Sequence, residues 1–326
     1  MSVLRILGCC VLLSYAIASA AQGFPERAMR LVVPFPAGGT VDAVARTVAQ
    51  RLSETLRYPM VVENRPGASG SIGAETVARA NPDGHTLLLA TASTHGTNPS
   101  VHQALPYDPI RDYAPVALIG TTPYILVVHP LISANTLTEL LTLIRAQPGR
   151  LNYGSYGSGS SNHLATELFR AMTGADIVHV AYKGGAPALT ALLAGEVQIM
   201  FDVFTTAGPH LRSGKLKLLG VGASTRSSLA PDAPTLAEAG KEAGLSGYQA
   251  GTFFGIVAPA ATPTAIVERL NLETNRAVAS PEVAQRLMNF GTEAHSGPPQ
   301  LLGQMIASEV ARWRKLVRER NLRFDP

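Results

Sequence analysis

Two stretches set glycine and hydroxyl residues directly ahead of a helical pattern: "FPAGGTVD" at 35–42 and "YGSYGSGSSNH" at 153–163. Glycine bares the backbone N–H, and a helix N-terminus gathers such groups at the positive end of its dipole. A strand end, a tight turn and a helix start in succession therefore suit an anion. Neither turn carries Lys or Arg at its tip. Amides, hydroxyls and water would hold the anion, which fits a reversibly bound carboxylate. Gly157 and Gly159 are expected to leave their N–H groups uncovered, with Ser160 or Ser161 as the helix cap. Asp42, just inside the first helix, is expected to complement the dipole and brace its turn.

A nucleotide fits poorly. Gly38-Gly39 is followed by no Lys, so the phosphate-loop pattern is absent. "GSGSSN" lacks the third glycine of the dinucleotide fingerprint, and Thr94 stands near the end of the third strand in place of an acid. Catalytic patterns are missing too. There is neither G-x-S-x-G nor H-E-x-x-H, and the eight histidines are scattered. His95 and His163 read as scaffold residues, with a catalytic role as the alternative. Asp202, ending "QIMFD", could meet a ligand ammonium or hydroxyl, or cap the next helix. Lys183 reads as an exposed turn cation. No catalytic residue, metal or cofactor is expected.

The elements that must position these turns alternate. "AMRLVVPF", "PMVVEN" and "GHTLLLAT" read as strands, with helices over Thr40–Leu56 and Ile72–Ala80. "NPSVHQALPYDPIRDY" reads as a long loop. The alternation restarts with "PYILVVHP", a helix over Leu137–Ala146, "RLNYGS", the helix after the second glycine turn, "IVHVAY", "KGGAPALTALLAG", "VQIMFD", a helix near Gly208–Ser213 and "LKLLGVGA". The strand "YQAGTFFGIVAP" then leads to helices at Thr264–Ala279, Pro281–Phe290 and Pro298–Arg320. The implied class is α/β with two lobes, each a mainly parallel sheet flanked by helices. Crossings near Pro123 and Phe253 assign 22–123 and 253–326 to the first lobe and 124–252 to the second. The late helices would return to cover the first lobe. Ligands of such folds sit between lobes, at the carboxyl ends of strands.

Composition sets the bounds. Of 326 residues, 46% are hydrophobic and 15% charged, with formal net charge +4, so real cores can form and no nucleic-acid arm is present. The basic run "RWRKLVRERNLR" has helical spacing and reads as a solvated face. Residues 1–21 read as a cleaved signal peptide: Arg5, the apolar "ILGCCVLLSYAIA", then the small residues "ASAAQG". Both cysteines, Cys9 and Cys10, fall inside it, so the mature chain would hold none. A lipoprotein reading of "ILGC" has too little apolar sequence before Cys9. Export without cysteine fits a bacterial periplasm, and a soluble monomer is expected.

Taken together, "PFPAGGTVDAVAR", "VENRPGASGSIGAE", "NPDGHTLLLAT", "LPYDPIRDYAPVALIG", "YGSYGSGSSNHLATELF", "AYKGGAPALTALLAGEVQIMFD" and "GIVAPAATP" resemble the Bug family, across nearly the whole mature chain. These are periplasmic solute receptors of tripartite tricarboxylate transporters. The resemblance implies a Venus-flytrap fold that closes on a small organic acid, its carboxylate held by one glycine turn from each lobe. The implied partners are the membrane components of such a transporter, or a membrane sensor. The first turn would supply Phe35, Pro36, Ala37, Gly38, Gly39 and Thr40. The second would supply Ser155, Gly157, Gly159, Ser160 and His163. Thr91, Ser93, Thr94 and Asp202 would set specificity. The chain departs from the pattern at Phe253-Phe254, where a Trp is common, and at "AYKGG", where "PYKG" is common. A cleft enzyme, hydrolase or lyase, using His95, His163 or Asp202 is the alternative from another class.

Overall fold

The computed structural model describes residues 23–102 and 104–324. The expected signal peptide lies outside them. The first lobe opens with β1 (Met29–Val33), α1 (Thr40–Leu56), β2 (Met60–Asn64), α2 (Ser71–Ala78) and β3 (Thr86–Thr91). A π-helical turn (Ser93–Thr97) and α3 (Asn98–Val101) follow, then β4 (Tyr113–Pro123). The expected long loop is therefore helical at its start, and its remainder is stapled by the buried Tyr107, whose hydroxyl donates to the Thr94 carbonyl (2.7 Å).

The chain crosses at Pro123-Tyr124 into β5 (Ile125–Val128). Then come α4 (Leu137–Ala146), β6 (Asn152–Ser155), α5 (Ser161–Thr173), β7 (Val178–Ala181), α6 (Gly185–Ala194) and β8 (Ile199–Asp202). α7 (Phe204–Arg212), β9 (Lys217–Val221) and α8 (Leu236–Ala239) complete this lobe. The return is β10 (Gly251–Pro259), followed by α9 (Thr264–Ala279), α10 (Pro281–Asn289), β11 (Glu293–Ala294) and α11 (Pro299–Glu319).

The sheets run β11-β4-β10-β3-β1-β2 and β7-β6-β8-β5-β9. They are mixed, not mainly parallel. β1 pairs in parallel with β2 and β3, and β6 with β7 and β8. β10 runs against β3 and β4, and β5 against β8 and β9. The reason is the crossing itself. A strand arriving from the other lobe runs away from the cleft, while strands built by local βαβ units run towards it.

Each sheet is covered on both faces. β1, with four of its five residues buried, lies under Val44, Val48 and Leu52, which recur at helical spacing along α1. α9 and α10 join that face, while α11 covers the other through Leu302, Ile306 and Val310. Fully burying such a side chain stabilises by roughly 1.5–3 kcal/mol. α4, α5 and α8 cover one face of the second sheet, and α6 and α7 the other. The two lobes also touch. Leu164 packs with Trp313 and Leu316, flanked by Val101 and Phe324. Ser227 Oγ donates to Glu293 (2.6 Å) and Thr205 Oγ1 to the Phe290 carbonyl (2.7 Å).

Candidate functional site

Both glycine turns follow a strand whose carboxyl end points at the junction of the lobes. The first is exposed over residues 36–39. Gly38 needs its glycine, because φ is +86° there. Gly39 does not: its φ is −85°, and an added Cβ would meet nothing nearer than the Pro36 carbonyl at 3.9 Å. Gly39 caps α1 without a side chain, and among the described residues the N–H groups of Gly39, Thr40 and Val41 find no acceptor. Asp42 locks this turn from behind. It accepts the Gly38 N–H (3.0 Å), Arg46 Nε (2.9 Å) and Asn64 Nδ2 (2.9 Å), while Asn64 also donates to the Phe35 carbonyl (3.0 Å). Burial alone would raise the Asp42 pKa; these hydrogen bonds outweigh it and hold the carboxyl down at about 2.

The second turn is enclosed. Its N–H groups are not left uncovered as expected: Gly157 donates to Ser155 Oγ (3.2 Å) and Gly159 to His163 Nδ1 (3.0 Å). The cause is the buried polar layer beneath it. Asn162 Oδ1 accepts the Tyr156 N–H (3.1 Å) and Ser160 Oγ (2.9 Å), and its Nδ2 donates to the Phe201 carbonyl (3.2 Å). Ser160 stands at the N-cap position, yet its hydroxyl turns back to the Gly157 carbonyl (2.6 Å). Among the described residues, the N–H groups of Ser158 and Ser161 find no acceptor. A Cβ on Gly159 would meet Val101 and Phe324 at 3.4 Å, so the turn abuts elements that pack on the first lobe.

Asp202 joins this turn. Its Oδ1 accepts Tyr156 OH (2.5 Å), Thr206 Oγ1 (2.7 Å) and the Val203 N–H (2.8 Å). Oδ2 is buried and finds no partner among the described residues, and burial raises the carboxyl pKa against the pull of those bonds. Thr91 and Thr94 are buried and spend their hydroxyls on each other and on each other's backbone, and Thr94 Oγ1 also lies 3.0 Å from His95 Nδ1. Ser93 is half-buried between them. His95 is fully buried against Tyr107 and Tyr113, and burial takes its pKa down to about 3. Lys183 is exposed.

The first turn, Ser93 and the loop after β2 share one end of the first sheet. The second turn, His163 and Asp202 share the facing end of the second. Among the described residues no hydrogen bond joins the two groups. A cavity of 270 Å³ lies between the lobes, lined by Thr121, Thr225, Phe253, Glu293, Glu309 and Arg312 among others, and none of the expected site residues lines it. Phe253 thus faces the hinge cavity.

Some residues escaped the sequence reading. Asn64 and Arg46 complete the first turn, and Asn162, Tyr156 and His179 the second. The loop Gly67–Gly70 holds four consecutive positive φ angles, two of them on Ala68 (+46°) and Ser69 (+53°). Such strain on non-glycine residues has no compositional signal, although its glycine flanks do. Ser155 Oγ lies 2.6 Å from His179 Nε2, a nucleophile–base spacing. Ser155 is buried, however, and its hydroxyl braces Gly157. Among the described residues no three His, Cys, Asp or Glu are grouped to hold a metal ion, and no helix is long and apolar enough to cross a membrane.

Comparison with known proteins gives a consistent set. Residues 44–322 match the family described as "Tripartite tricarboxylate transporter family receptor". The chain is similar to Protein BugT of Bordetella pertussis, 36% identical over 300 residues, covering 92% of this chain and 91% of that one. It is similar to a solved structure of R. palustris Rpa4515 with adipate, at 38% identity and TM-score 0.79, covering 90% of this chain and 97% of that one. It is also similar to MatC from Rhodopseudomonas palustris with bound malate, at 36% identity and TM-score 0.76, covering 90% and 100%.

Proposed function

The chain belongs to the tripartite tricarboxylate transporter receptor family, and from that premise we propose that it captures a small organic carboxylate in the periplasm and delivers it to the membrane components of such a transporter. The lobes are residues 22–123 with 253–326, and 124–252. The cleft between them receives the acid, and the protein works as an exported monomer that returns its ligand unchanged. One observation carries this reading. The first turn offers, among the described residues, N–H groups without an acceptor on Gly39, Thr40 and Val41 at a helix N-terminus, and Gly39 has a conformation any residue could adopt. Close approach of an anion accounts for a glycine there; the backbone does not. The second turn and Ser93 close over the same ligand, and Asp202 sets its size and polarity from behind Tyr156. Adipate and malate in the similar structures point to short dicarboxylates as the first acids to try.

A thermal-shift screen of acetate, malate, adipate and citrate tests this, with native mass spectrometry to show that the starting protein is ligand-free. At ~100 times its dissociation constant a ligand adds ~2.7 kcal/mol of stability. At least one acid should shift the melting point strongly and be recovered intact. A flat screen, or conversion of the acid, would overturn the reading.

A further inference from the structure

Two histidines beneath the second turn have no part in the proposal above. His163, in the first turn of α5, accepts the Gly159 N–H at Nδ1 (3.0 Å), so the ring proton sits on Nε2. Its ring lies flat on that of His179 from β7, with centroids 3.9 Å apart and planes 12° apart. His179 Nε2 is 2.6 Å from Ser155 Oγ, and Ser155 Oγ meets both the N–H and the carbonyl of Gly157 (3.2 Å each). Gly157 and Gly159 bend the turn, at φ +134° and +74°. Each is tied to one imidazole of the stack, Gly159 directly and Gly157 through Ser155.

His163 is buried and His179 half-buried. Tyr153 lies 4.9 Å from His179, and Phe324 meets His163 edge-on at 5.8 Å. Among the described residues, the ionisable groups around the stack are Glu167 and Arg170 on α5 and Tyr153 on β6. Glu167 Oε1 accepts Tyr153 OH (2.6 Å) and Arg170 Nη1 (2.6 Å), and stays 3.9 Å from His163 Nε2, beyond hydrogen-bond reach. The carboxylate's hydrogen bonds are thus committed elsewhere, and it supports a protonated His163 through charge alone.

Resting on the receptor reading, we propose that His163 and His179 are positioning residues for ligand capture: the neutral stacked pair holds Gly157 and Gly159 in the shape that faces the anion, and proton uptake releases it. An imidazolium has no lone pair for the Gly159 N–H. A second positive ring stacked upon it would repel it. Burial first, then the neighbouring His179 and Arg170 against the pull of Glu167, takes His163 down to about 4, and burial lowers His179 as well. The brace is therefore whole near neutral pH and fails in acid.

Two measurements test this. Nuclear magnetic resonance of the ligand-free protein should show His163 as the Nε2–H tautomer, with the Gly159 amide shift following its titration. Calorimetry with the same four acids from pH 7.5 to 3.5, through the His163 titration, gives affinity. His163→Leu should weaken binding about tenfold at pH 7.5, the size of one lost hydrogen bond. His163→Asn, whose Oδ1 takes the Nδ1 position and does not titrate, should recover most of that loss and bind more tightly than wild type at the acid end, relative to pH 7.5. A Gly159 amide indifferent to His163, or an identical pH profile in His163→Asn, would overturn the proposal. If no acid binds wild type while the Gly159 amide still follows His163, the receptor reading falls and the brace stands.

Discussion

The two glycine turns share a plan and differ in what holds them. The first is exposed and locked by a carboxylate: Asp42, with Arg46 and Asn64. The second is enclosed and locked by neutral groups: Asn162, Ser155 and the stacked histidines. The first spends one N–H on its lock and leaves three consecutive N–H groups for a ligand. The second spends the N–H of Tyr156, Gly157, Gly159 and Ser160 on its own shape. If the proposed reading holds, affinity for an anion resides more in the first turn, and geometric definition in the second. A charged lock tolerates water; a neutral one must exclude it, which is why Val101 and Phe324 close over Gly159.

The largest effect expected from this contrast comes from crowding the enclosed turn. Gly159→Val forces a β-branched residue to φ +74° and sets its Cβ 3.4 Å from Val101 and Phe324. Loss of about 3 kcal/mol of stability is expected. Gly38→Val meets the same kind of angle, +86°, but nothing within 4 Å, and should lose only about 1–2 kcal/mol. Urea unfolding of both variants measures the gap. Equal losses would mean that the enclosure contributes nothing.

The next effect is the pH at which each lock opens. His163 is held at about 4 against an ordinary 6.5, so below 6.5 the unfolded chain takes up the proton first. Its contribution to stability is full above 6.5 and drains away as pH falls towards 4. Asp42 is held at about 2 against 3.8, so its contribution is full above 3.8 and drains away towards 2. Each should amount to something on the order of 2 kcal/mol. His163→Asn should flatten the upper window and Asp42→Asn the lower one, read from urea midpoints at stepped pH. Flattening of one shared window by both variants would show a single coupled lock.

The legible parts of this contrast were the local ones. Strand, glycines and helix start are adjacent in the chain, so both turns and the bracing role of Asp42 could be read from "PAGGTVD" and "GSGSSNH". The antiparallel β5 and β10 could not. Their direction follows from the lobe crossing and leaves no trace in periodicity. His179 was illegible for a similar reason. Only the β6–β7 register sets it beside Tyr153 and under His163. The N–H groups of the second turn are covered by local side chains, Ser155, Asn162 and His163, whose inward turn has no signature in residue spacing, so the glycines looked freer than they are.

The smallest effect on the fold belongs to Gly39, and it isolates the ligand most cleanly. Its φ of −85° and ψ of 173° are open to any residue, and an added methyl meets nothing but the Pro36 carbonyl at 3.9 Å. Gly39→Ala should therefore leave stability unchanged or raise it by about 0.4–1 kcal/mol, through a less flexible unfolded chain. The same methyl stands where an anion would meet the N–H groups of Gly39, Thr40 and Val41. Carboxylate affinity should fall at least about tenfold, a loss of about 1.4 kcal/mol. Opposite signs in one variant cannot arise from unfolding, whereas a loss of binding in Gly159→Ala would be confounded by its strained φ. Calorimetry beside a thermal melt gives both readings. An alanine variant that binds as tightly as wild type would reduce the first turn to a plain helix start and move the anion to the second lobe.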